Sequence, residues 1–74
     1  MMEKAVIGFN AGRVWRYLKD RGEADINKMC LDLGQSFDNI SLAVGWLARE
    51  NKVIIRRKDG ALLISINNVE FAFG

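Results

Sequence analysis

The side chains able to do covalent chemistry are few. Cys30 is the single cysteine and the chain has no histidine, which excludes an internal disulfide and removes the commonest metal ligand and general base. A catalytic thiolate needs an activating neighbour, yet Met29 and Leu31 beside it are apolar, so Cys30 reads as a small buried hydrophobe. The carboxylates of Asp20, Glu23 and Asp25 gather in a stretch ending at a helix cap, which accounts for them without catalysis. Gly8 and Gly12 are too far apart, and follow no strand, to form a phosphate-cradling loop. The expectation is a protein that is not an enzyme and uses neither metal nor cofactor.

Cations offer the remaining chemistry. Arg13, Arg16, Lys19 and Arg21 lie within one short stretch, and Arg49, Lys52, Arg56, Arg57 and Lys58 stand against Glu50 in another, a net of plus four over residues 49–58. Such groups hold a phosphate backbone without reading sequence. They also serve as a solvated helix face, or as charges that keep a sheet edge from pairing. Between them, over residues 22–48, Glu23, Asp25, Asp32 and Asp38 outnumber Lys28 for a net of minus three, the wrong sign for a unit entering a DNA groove.

The elements that carry these groups follow from periodicity. Ile7, Ala11, Val14, Trp15 and Leu18 fall at three-to-four spacing and predict a first helix from Ile7, with Asn10 its cap or in an earlier turn, stopping at Gly22. Asp25 precedes Ile26, Met29, Cys30 and Leu33, a capped helix of barely two turns ending at Gly34. Ser36 or Asp38 caps a third helix whose inward set is Ile40, Ala43, Val44 and Leu47, and which ends near Glu50 with Asn51 in the left-handed conformation. Asp59-Gly60 is a two-residue hairpin turn between residues 53–58 and 61–66. Pairing Lys58 with Ala61 puts Val53, Ile55, Leu62, Ile64 and Ile66 on one face. A third short strand is expected around residues 23–25, because an isolated hairpin is marginal.

The chain has 74 residues, 50% apolar and 27% charged, with a net charge of plus two. That suits one small domain over residues 1–74, its core about 7–66 and a C-terminal tail at 67–74. The balance argues against intrinsic disorder. No run reaches the roughly 18 to 20 apolar residues of a membrane span, and the start is not that of a secretory signal, so no membrane and a cytoplasmic location are expected.

Helix, short strand, helix, turn, helix, hairpin is the α+β order of a winged helix-turn-helix, with three helices and a two- or three-stranded antiparallel wing sheet. The strings NAGRVWRYL (10–18) and LAVGWLARENKVIIRR (42–57), with Asp59-Gly60, resemble a family of small uncharacterised bacterial winged helix-turn-helix proteins over about residues 7–66. The wider class implies duplex DNA binding and a transcription-associated role, with the third helix in the major groove and the wing on the backbone. On that expectation Arg56, Arg57 and Lys58, with Arg13 and Arg16, hold phosphates, and Asn39, Ser41 and Arg49 are the helix contacts. Leu42 and Trp46 occupy helix positions where such readers place polar or basic side chains. The alternative is therefore a protein-interaction module, a homodimer in its simplest form, using Leu42, Trp46, Ile54, Leu63, Phe71 and Phe73.

Overall fold

The structure, a computed structural model, describes residues 3–67. Three helices, α1 (Glu3–Arg21), α2 (Ile26–Leu33) and α3 (Phe37–Arg49), stand with strands β1 (Ala24–Asp25), β2 (Val53–Lys58) and β3 (Ala61–Ile66). The strands form one antiparallel sheet in the order β1-β3-β2. Three helices and a three-stranded sheet are the expected α+β winged architecture.

Local chemistry sets the boundaries. Asp25 accepts a hydrogen bond from the Lys28 amide at 2.8 Å and opens α2; Ser36 accepts from the Asn39 amide at 3.1 Å and opens α3. Both caps satisfy a helix-start N–H that would otherwise lack a partner. Helix α2 closes on Gly34 at φ 62°, with the Gln35 amide reaching back to the Cys30 carbonyl at 3.1 Å. Helix α3 closes in the same way on Asn51 at φ 60°, with the Lys52 amide donating to the Leu47 carbonyl at 2.9 Å. The short turn from Gly34 to Ser36 joins α2 to α3 as a helix-turn-helix.

Asp59 and Gly60, at φ 52° and 85°, turn the hairpin and set Lys58 opposite Ala61, the expected register. The core is the inward stripe of each helix, Ala11, Val14 and Leu18 from α1, Ile26 and Met29 from α2, and Ile40, Ala43, Val44 and Leu47 from α3. Val53 and Ile64 close it from the sheet.

The structure departs from expectation at several places. Helix α1 begins at Glu3, a turn before Ile7, so Asn10 is neither a cap nor in an earlier turn: it lies inside α1 and is 5% exposed. Cys30 is half-buried at the margin of the core. Ile55, on the core face of β2, is 41% exposed, since burial along that strand ends after Val53. The tail beyond residue 67, with Phe71 and Phe73, lies outside the described residues. Among those residues, no helix is long and apolar enough to cross a membrane.

Candidate nucleic-acid interface

Helix α3 turns two stripes in opposite directions. Ile40, Ala43, Val44 and Leu47 are buried, while Asp38, Leu42, Gly45 and Arg49, spaced i, i+4, i+7 and i+11, are exposed. The outward stripe carries one cation, at the last turn, and one large apolar side chain, Leu42, at 51% exposure. A Cβ at Gly45 would meet nothing within 4 Å, so a partner's backbone has room to come close there.

The two expected base-reading side chains of the first turns are turned away. Asn39 is half-buried, and its side-chain amide donates to the Gln35 Oε1 at 2.9 Å. The Ser41 hydroxyl oxygen is buried without a hydrogen-bond partner among the described residues.

The expected phosphate-holding cations divide into engaged and free. Arg13 donates to the Leu33 carbonyl at 3.1 Å, satisfying the C-terminal end of α2. Arg56 reaches back to an ion pair with Glu23, joining the outer face of the wing to the segment after α1. Arg57 donates to the Gly60 carbonyl at 3.3 Å and braces the turn. Arg16, Arg49 and Lys58 are exposed or at the surface with no side-chain partner among the described residues. Lys52, just past α3, shares that state. Spacing alone cannot reveal this division, since Arg56 and Glu23 are 33 residues apart.

A second polar cluster ties α1 to α2. Tyr17 donates to Asp32 Oδ2 at 2.6 Å, and Arg21 and Lys28 approach the same carboxylate at 3.5 and 3.4 Å. The Tyr17 hydrogen bond, aided by the two cations, holds Asp32 below its ordinary 3.8. Partial burial, then the Asp32 carboxylate, push the Tyr17 phenol above 10.0. An open cleft of about 420 Å³ beside this cluster has Arg13, Arg16 and Arg21 on its walls, but Asp20 and Asp32 offset most of their charge.

The expected apolar surface is also redistributed. Leu42 and Ile54 are exposed, at 51% and 40%, while Leu63 is half-buried. Trp46 does not stand outward: it is half-buried, packed against the core, with its Cζ2 4.0 Å from where a Cβ on Gly8 would be. Phe9, Leu31 and Phe37, at 67%, 81% and 52%, are exposed without having been singled out. The signal was available for two of them, since Phe9 and Leu31 fall off the buried stripes of their helices.

Residues 2–66 match the family described as "Winged helix-turn-helix domain (DUF2582)". The solution NMR structure of protein BT2368 from Bacteroides thetaiotaomicron is 42% identical in sequence with a TM-score of 0.83, over 99% of this chain and 88% of that one. The uncharacterised protein MJ1608 of Methanocaldococcus jannaschii is 29% identical over 62 residues, 81% of this chain and 89% of the relative.

Proposed function

The chain belongs to the DUF2582 family of winged helix-turn-helix domains, and from that premise we propose that it is a nucleic-acid-binding module, not an enzyme, which grips a duplex backbone without reading its bases and serves a transcription-associated role. The observation that carries this reading is a pair of cations without side-chain partners among the described residues, Arg49 in the last turn of the outward stripe of α3 and Lys58 at the wing tip. Arg57 lies next to Lys58, and its bond to the turn carbonyl leaves its charge at the surface. Backbone contact requires only cations on an accessible surface. Base reading requires free Asn, Gln, Arg or Lys in the first turns of the helix, and there Asn39 is bonded to Gln35 while Asp38 repels phosphate.

Fluorescence anisotropy of a labelled duplex, titrated across a salt series, tests this. Affinity is expected to fall steeply with salt, to be nearly independent of sequence, and to lose about one unit of salt slope for each of Lys58→Ala and Arg49→Ala. Absence of binding at low salt overturns the proposal.

A second reading, a homodimer or other protein-binding module, is favoured by Leu42 standing half-exposed in the outward stripe of α3 with Ile54 exposed on the wing. Sedimentation of wild type beside Leu42→Ala separates it, because a dimer built on this surface dissociates in the variant.

A further inference from the structure

Both tryptophans of the chain lie in one groove, between α1 and the last turn of α3. Trp15, Trp46, Gly8, Gly12, Lys52 and Glu50 line it, around about 200 Å³. Trp46 is shared with an adjoining cleft of about 270 Å³ rimmed by Lys4, Arg49 and Glu50. Lys4, Arg49 and Lys52 have no side-chain partners among the described residues, and Lys19 lies over the Trp15 ring at 4.7 Å. Three unengaged cations thus face one carboxylate around two aromatic rings.

The two glycines are a second, independent observation. A glycine inside a helix costs about 1 kcal/mol relative to alanine, and crowding does not demand either one here. A Cβ at Gly8 would be in ordinary contact with Trp46 Cζ2 at 4.0 Å, and one at Gly12 would meet only the end of Arg16, also at 4.0 Å. What the missing side chains leave is an unfilled space lined by Trp15 and Trp46.

We propose that this groove binds an unpaired nucleotide, and hence single-stranded nucleic acid. The base stacks on Trp46, beside the Trp15 ring that Lys19 overlies, and Lys52 and Lys4 hold the flanking phosphates. Aromatic rings set among free cations are the chemistry of a single-strand platform, since any unpaired base offers a π-face and a paired one keeps it in its own stack. Glu50 supplies an acceptor for a base imino or amino hydrogen. The site goes beyond the duplex grip proposed above, and only Arg49 borders both.

Titration of the intact protein with a short oligothymidylate at low salt, followed by tryptophan fluorescence, tests the proposal. Saturable quenching is expected, weakening as salt rises. Gly8→Leu, which fills the groove with a better helix former, is expected to weaken binding at least about tenfold, and Lys52→Ala to weaken it several-fold with a shallower salt slope. Circular dichroism of Gly8→Leu checks that the helices persist. No quenching at low salt, or quenching of equal affinity in Gly8→Leu, overturns the site. A fluorescence change that follows protein concentration without oligonucleotide also overturns it, by showing that a second copy occupies the groove. Labelled-duplex anisotropy with Lys58→Ala reports on the duplex grip alone, so the two proposals fail separately.

Discussion

Ile26, Met29, Ile40, Ala43, Val44 and Leu47 are all buried on the inner faces of α2 and α3, whereas in β2 only Val53 is buried and residues 54–58 stand exposed. The helix-turn-helix is held by core packing and by caps that satisfy its own backbone. The wing is held by its turn and its cross-strand pairs. The charge divides along the same line, acidic through residues 22–48 and basic through 49–58. In the helical half, folding accounts for most residue choices. Along the exposed length of β2 burial accounts for few, and of the three cations there Arg56 pairs with Glu23 and Arg57 braces the turn, which leaves Lys58 without a side-chain partner among the described residues.

The sharpest way to break this contrast is to cut one isoleucine from each half. Ile40→Ala removes a side chain that is 1% exposed and is expected to cost about 2–5 kcal/mol in urea unfolding. Ile55→Ala, which loses mainly its cross-strand pairing with Ile64, is expected to cost under about 1 kcal/mol. Equal costs would mean that the wing is core. A single type of substitution at two glycines gives smaller effects of opposite sign. Gly60→Ala forces a side chain onto φ 85° and is expected to lower stability by about 1–2 kcal/mol. Gly45→Ala, in open space on the outward face of α3, is expected to raise it by about 0.5–1 kcal/mol in thermal melts. The smallest effect is pH-dependent. Asp32 is held below its ordinary 3.8, so its contribution is complete above pH 3.8 and is lost as pH falls through the lower folded-state value. Acid titration of stability is expected to show a shallower decline below that pH in Asp32→Asn than in the wild type.

The legible parts of the fold were those that neighbouring residues decide. Asp25, Gly34, Ser36, Asn51 and the Asp59-Gly60 turn act within a few residues of themselves, and each stands where its chemistry predicts. The buried stripes followed because a helix repeats its face every three to four residues. What the sequence withheld depends on the chain's return in space. Arg13 meets a carbonyl 20 residues away, and Arg56 meets a carboxylate 33 residues away. Which cations remain for a partner can be read only after those pairs are known. Trp46 is similar: its helical position is at the flank, and it lies near Gly8 of another helix, a neighbour its own spacing does not show. Asn10 misled for a different reason, since its residue type suggests a helix start while its position is inside α1.

Among the described strands the one completed last, β3, is the middle one of the sheet. A ribosome therefore releases β1 and β2 before the segment that joins them, and until residues 61–66 emerge both wait as open edges that a neighbouring nascent chain could template. The run Arg56-Arg57-Lys58 sits on one of those edges, where like charges on two newly made copies repel one another. Those cations, which in the finished protein pair with Glu23, brace the turn and stand at the wing tip, thus guard the unfinished chain against its own kind.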